Sequence, residues 1–299
     1  MRILILGVNG MLGHRLARTL NSDFDFQVWG TSRSPLALPE GAVIEPDRHI
    51  VGVSALEFET VREVLRRVRP DAVVNCIGIV KQRAESKSAV PSIEINSLFP
   101  HRLAVECGDL GVRVIHLSTD CVFTGQKGAY TESDVPDARD MYGRSKLLGE
   151  LEESGCLTMR TSIIGWALSD FTGLLDWYAS NRGSTINGYR NVRFSGLSTE
   201  SLSRVIGRVI ADHPALNGVY QVSAHSIDKY SLLKRLDELL GWGTDIVPVD
   251  EPVMDRSLDS SRFRQDAAWE PPSWDEMLNE LAKDRLWYEA RISPSDQAR

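Results

Sequence analysis

The first 160 residues alternate between two hydrophobic patterns. Short unbroken aliphatic runs predict buried strands over residues 3–6, 26–29, 71–75, 112–117 and 157–160. Between them apolar residues recur at helical spacing. Leu12, Leu16, Ala17 and Leu20 mark a helix over 11–20, and Val61, Val64, Leu65 and Val68 mark one over 56–68 that Pro70 ends. Residues 95–107 and 142–151 read as two further helices. Apolar strands interleaved with amphipathic helices predict a parallel sheet covered on both faces. With right-handed crossovers this is an α/β, doubly wound architecture of the Rossmann type. Beyond Gly165 the pattern loosens into an aromatic-rich helical stretch over 171–178 and loops containing proline, which predicts a smaller C-terminal lobe. The polar tail after Ile292 is expected to fray.

Bulk properties narrow the class. A net charge of −7 argues against a general nucleic-acid binder, while leaving room for a local basic pocket. The four cysteines, Cys76, Cys107, Cys121 and Cys156, form no C-x-x-C pair. No zinc or redox motif is therefore expected, no metal is called for, and scattered thiols suit a reducing cytoplasm. The apolar run at residues 3–6 meets glycine too soon for a signal peptide or membrane span, and no other stretch is long enough to cross a bilayer.

Gly7, Gly10 and Gly13 stand at three-residue intervals between the first strand and the first helix. Such a turn lets backbone approach a pyrophosphate and aims a helix N-terminus at it. Asn9, Met11 and Leu12 complete the expected cofactor loop. An acidic residue after the second strand would bind a ribose 2′-hydroxyl, but this chain has Gly30-Thr31-Ser32-Arg33. Ser32 and Arg33 therefore favour NADP, with NADPH preferred and NAD possible. The expected division is a dinucleotide-binding domain over 1–165, joined by part of 192–224, and a substrate-binding lobe formed mainly by 166–191 and 225–299.

Tyr142 and Lys146 are four apart at the start of a predicted helix, which puts both on one face. An ammonium there is expected to favour tyrosinate and lower the phenol's pKa. Ser118-Thr119-Asp120 end the preceding strand at the sheet edge where ligands bind in such folds.

These residues carry a resemblance to the extended short-chain dehydrogenase/reductases, and within them to the dTDP-4-dehydrorhamnose reductase branch. The matching segments are residues 7–13, Pro70 through Cys76, Asn96, His116 through Phe123, Tyr142 through Glu150, Arg160-Thr161-Ser162 and Arg256-Ser257-Leu258-Asp259. The resemblance implies NAD(P)H-dependent reduction of the 4-keto group of a nucleotide-linked 6-deoxy sugar, in deoxysugar or polysaccharide biosynthesis. It implies Tyr142 as proton donor, Lys146 on the nicotinamide ribose, and Thr119 on the substrate oxygen with Asp120 beside it. Cys76, Ile77, Gly78 and Asn96 would line the cofactor. Lys81, Cys121, Ile163, Arg190, Arg193 and Arg256 are the further substrate-side candidates, the arginines toward the diphosphate. The expected partner is a nucleotide sugar, with a homodimer as the possible assembly.

The chain departs from that branch at Cys121, where tyrosine is usual, and at Ile163, where tryptophan is usual. Relatives in the superfamily include 4,6-dehydratases, expected to have glutamate at the Cys121 position, and 4-epimerases, whose pattern lacks the Thr119-Asp120 pair. Other proteins like this branch bind NADP as regulatory subunits of another enzyme, which the retained Tyr142, Lys146 and Thr119 do not exclude.

Overall fold

The computed structural model describes residues 1–35, 43–168 and 173–289. In its first half, β1 (Arg2–Leu6), α1 (Met11–Asp23), β2 (Gln27–Ser32), β3 (His49–Val51), α2 (Phe58–Val68) and β4 (Ala72–Asn75) alternate as the pattern requires. A continuous helix follows, made of α3 (Ala89–Ser92), a wider π-type stretch over Ile93–Leu98 and α4 (Phe99–Asp109). Then come β5 (Arg113–Thr119), a short turn over Asp120–Val122, α5 (Met141–Leu148) and β6 (Cys156–Thr161). The remainder comprises β7 (Ile163–Ile164), α6 (Leu174–Ser180), β8 (Thr185–Tyr189), β9 (Val192–Phe194), β10 (Leu197–Ser198), α7 (Thr199–Asp212) and β11 (Gly218–Gln221). It ends with β12 (Ile227–Asp228), α8 (Lys229–Leu240), β13 (Asp245–Val249), β14 (Met254–Asp255), α9 (Ser261–Asp266) and α10 (Trp274–Glu289).

Seven parallel strands form the main sheet in the order β11-β6-β5-β4-β1-β2-β3. The order reverses between β1 and β4, which makes the crevice at their C-terminal ends the place for a ligand. The central strands β1 and β4 are apolar on both faces because helices cover both. Ile3, Ile5 and Val74 pack with Leu12, Leu16, Val205 and Ile206 of α1 and α7. Leu4, Leu6 and Val73 pack on the other side with Val61, Leu65, Phe99 and Leu103 of α2 and α4. Burying such side chains is worth about 1.5–3 kcal/mol each, so the sheet is the molecule's main store of hydrophobic stabilisation.

The later segments build smaller sheets. β8 pairs with β13, β7 with β10, and β9 lies between β12 and β14. Helix α10 returns to the start of the chain. There Arg15 binds Asp284 through two contacts, and Tyr288 lies 2.5 Å from Nε2 of His14.

Several boundaries differ from expectation. The second strand runs on to Ser32, and the three-residue β3 gives no periodic signal of its own. The helix expected over 95–107 begins at Ala89. Its π-type stretch ends at Leu98, two residues before Pro100, which has no N–H to offer the carbonyl four residues back; the Phe99 N–H reaches five back, to Glu94. Helix α5 stops at Leu148, with Gly149 as its cap, rather than at 151. Of the aromatic-rich stretch over 171–178, Phe171 and Thr172 lie outside the described residues, as does the tail after Ile292.

Candidate active site

The glycine turn has the shape its spacing predicts. A Cβ added at Gly13 would come within 2.1 Å of the Gly7 carbonyl oxygen, so only glycine lets α1 pack this closely on the end of β1. Gly10 caps α1 without a side-chain hydrogen bond, and no acidic residue occupies the first turn. The free N–H groups at that end therefore suit a pyrophosphate, and the residues present fit a dinucleotide. Leu12 belongs to the core, and the Met11 methyl lies where a side chain on Gly173 would stand. Asn9 ties the loop to the segment after β2 by donating to the carbonyl of Ser34 at 3.1 Å. In that segment Arg33 is exposed, whereas Ser32 is buried, donates to the Ser34 carbonyl at 2.6 Å and meets Nε2 of His49 at 2.7 Å.

At the exit of β4, Cys76 packs against the core and burial raises its thiol to about 12. Asn96, expected to touch the cofactor, is fully buried with its amide otherwise engaged. Its Oδ1 accepts from the Ile79 N–H at 2.9 Å, and its Nδ2 donates to the Ile79 carbonyl and the Ser145 hydroxyl. It clamps the Gly78–Ile79 loop to α5 instead of offering atoms to a ligand.

The chemistry-bearing cluster lies where β5 ends and α5 begins. Asp140 caps α5 by accepting from the Gly143 N–H at 2.7 Å, and its other oxygen binds Lys81 at 2.9 Å. Gly143 is required here, because a Cβ would stand 2.3 Å from the carbonyl oxygen of Cys121. This close approach seats Tyr142 over the turn after β5, where the Thr119 hydroxyl is close enough to act on its phenol. Thr119 also accepts from the Cys121 N–H at 3.1 Å, which fixes its hydroxyl. One turn on, Lys146 is buried and donates to the Leu117 carbonyl at 2.6 Å.

The electrostatics correct one expectation. The Tyr142 phenol is pushed above its ordinary value, first by burial and then by Cys121 and Asp120, with the Thr119 hydrogen bond pulling the other way. Lys146 is not the dominant influence on it. Burial instead lowers Lys146 to about 8, against the raising effect of Glu150. Tyr142 is thus a protonated acid at neutral pH. Glu150 is itself held by Arg160 through two bonds of 2.8 and 2.7 Å and by Ser118 at 2.6 Å.

The sugar-side candidates separate. Arg256 donates to the Phe123 carbonyl at 2.9 Å and lies 3.8 Å from the Cys121 sulfur. Burial raises that thiol to about 12, so Cys121 is a packed neutral group. Ile163 packs beside the main core. Arg190 forms a two-point pair with Asp250 at an exposed position, and Arg193 is exposed on β9 between Asp228 and Asp255 of the adjoining strands. Of the three candidate arginines, Arg190 is held by its ion pair and Arg193 by its strand register, while Arg256 is the one placed beside Cys121. Sequence reasoning missed Lys229, the first residue of α8. Its ammonium lies close enough to Asp120, Cys121 and Arg256 to feel their charges, and burial lowers its pKa. No local pattern signals it, since it reaches the site only through the pairing of β12 with β9. Among the described residues, no cluster of His, Cys, Asp and Glu could hold a metal ion, and no helix is long and apolar enough to cross a membrane.

A family model for the RmlD substrate binding domain matches residues 1–184. The chain is 32% identical over 184 residues to the probable low-salt glycan biosynthesis reductase Agl14 of Haloferax volcanii, covering 59% of this chain and 59% of that protein. It is 29% identical over 153 residues to methionine adenosyltransferase 2 subunit beta of Danio rerio, covering 50% of this chain and 43% of that protein. These alignments therefore span only about half of the curated relatives' length. The fold matches that of dTDP-4-dehydrorhamnose reductase from Bacillus anthracis, solved in complex with NADP, with a TM-score of 0.77 at 21% identity over 95% of this chain and 99% of that one.

Proposed function

Because the chain belongs to the family of the RmlD substrate binding domain, we propose that it is an NAD(P)H-dependent oxidoreductase that reduces the 4-keto group of a nucleotide-linked 6-deoxy sugar. The observation that carries this reading is the placement of Thr119, Tyr142 and Lys146 at the sheet's C-terminal edge, beside an uncapped glycine turn. The similarity to a probable low-salt glycan biosynthesis reductase supports the substrate class.

The cofactor, when bound, supplies hydride. This chain's residues do the rest. Hydride arriving at a carbonyl carbon leaves negative charge on oxygen, and that oxygen needs a hydrogen-bond donor and then a proton. Tyr142 provides the proton from its phenol, and burial keeps the phenol protonated until the transfer. Thr119, aligned by the Cys121 N–H, holds the same oxygen. Lys146 on the same helix face holds the nicotinamide ribose and, as an ammonium, favours the phenolate left once the proton has been given up. Gly7, Gly10, Gly13 and the α1 N-terminus hold the pyrophosphate. Arg33 favours NADPH over NADH because no carboxylate follows β2 to repel a 2′-phosphate. On the substrate side, Arg256 and Lys229 flank Cys121 and face the sugar nucleotide's anionic end.

The test is NADPH oxidation with a panel of dTDP- and UDP-linked 4-keto-6-deoxy sugars, followed by product identification. One reduced C4 alcohol formed per NADPH supports the reading. Turnover of none, by a protein that binds NADPH, overturns it.

A further inference from the structure

A buried chain of hydrogen bonds runs from the loop after β4 to Lys146, and it fixes the state of a histidine that no proposed step uses. The Ile77 N–H donates to Oδ1 of Asn75 at 3.1 Å. That bond settles which end of the amide is which, so Nδ2 of Asn75 is the atom 3.1 Å from Nδ1 of His116. An amide nitrogen only donates, so Nδ1 must accept. The remaining hydrogen of the neutral ring then sits on Nε2, which lies 3.5 Å from the Lys146 nitrogen. His116 and Asn75 are fully or almost fully buried, and Lys146 is 6% exposed.

We propose that His116, oriented by Asn75, is a positioning residue for Lys146: it presents an N–H to the lysine nitrogen, favouring the neutral amine while the head group rests on the Leu117 carbonyl. An ammonium has only donors, so it meets the His116 N–H as like against like; an amine's lone pair can accept from it. The other groups around this pair do not do the same work. Glu150, on the loop after α5, favours the ammonium but is held by Arg160 of β6 and Ser118 of β5. Tyr142 is protonated, the Cys76 thiol on the β4 exit is neutral, and His101 of α4 acts on His116 from a distance. Burial lowers Lys146 to about 8 against the raising effect of Glu150.

The proposal rests on Lys146 belonging to the cofactor site, but its test reads the lysine itself and needs no substrate. Protein labelled with 13C at the lysine ε carbon is titrated by NMR, with Lys146 assigned by its loss in Lys146→Arg. The wild-type signal should titrate near pH 8. Asn75→Asp gives His116 an acceptor, moves its hydrogen to Nδ1 and turns the Nε2 lone pair toward Lys146. His116→Gln lets a carbonyl face the lysine instead. Both should move the Lys146 midpoint up by about one unit or more, toward the ordinary lysine value near 10.4. An unchanged midpoint in both folded variants overturns the proposal. The wild type supplies a second check that no misfolded variant can spoil. The imidazole 15N shifts of His116 at neutral pH should report hydrogen on Nε2, and hydrogen on Nδ1 would overturn it.

Discussion

The two sides of the proposed site are built in different ways. The hydride side, with Thr119, Tyr142 and Lys146, comes from one stretch of 28 residues across β5 and α5, locked by the Asp140 cap and the Gly143 contact. The proposed sugar side gathers Lys81, Lys229 and Arg256 from three separated segments around Cys121, the last two brought in by the small sheet β12-β9-β14. On the first side neighbouring chain segments fix the geometry. On the second, Lys229 and Arg256 depend on distant loops, which lets these two change without disturbing β5 and α5.

The comparison can be broken at its strongest point. Lys146→Met should lower turnover by about a hundredfold or more, the scale of a positioned proton-transfer system, and should also weaken NADPH binding. A parent-like rate would remove the lysine from the hydride side. In the free wild-type protein, affinity for NADPH should fall as pH rises through about 8, because the depressed Lys146 loses its charge there. Equilibrium titrations at several pH values read this directly, and a flat profile would deny Lys146 a charged role in binding. On the sugar side, Arg256→Gln and Lys229→Met should each raise the half-saturating concentration of the sugar nucleotide by about tenfold, the value of one partly screened charge-assisted contact, while leaving NADPH affinity unchanged. If either variant instead changed turnover at saturation, the two sides would not be separable. The smallest effect is expected at exposed Arg33. Its replacement by alanine should weaken NADPH by about fivefold and leave NADH unaffected. Equal losses would withdraw the 2′-phosphate assignment.

The same contrast explains what could be read from the chain. The strands and helices of the main sheet were legible because burial on two faces writes unbroken aliphatic runs, as at Ile3 through Leu6 and Val73-Val74. Thr119, Tyr142 and Lys146 were legible because they lie on a strand end and one helix turn. Asn96 was visible as a residue but not in its role, since its contacts with Ile79 and Ser145 are tertiary. Lys229 and the pairing of Arg190 with Asp250 depend on which short strands meet, and two- and three-residue strands carry no periodicity. The Tyr142 electrostatics differ from expectation because spacing shows that Lys146 is near but not that desolvation outweighs its charge.

The central claim is that Tyr142 delivers the proton. It is tested most directly by Tyr142→Phe, which keeps the ring and removes only the hydroxyl. NADPH binding and turnover of a 4-keto-6-deoxy sugar nucleotide should be measured on the same preparations. The account predicts near-parent NADPH affinity with turnover lower by about a hundredfold or more. Parent-level turnover by Tyr142→Phe would contradict it. So would a wild-type protein that binds NADPH, reduces no such sugar and instead holds another enzyme in a stoichiometric complex.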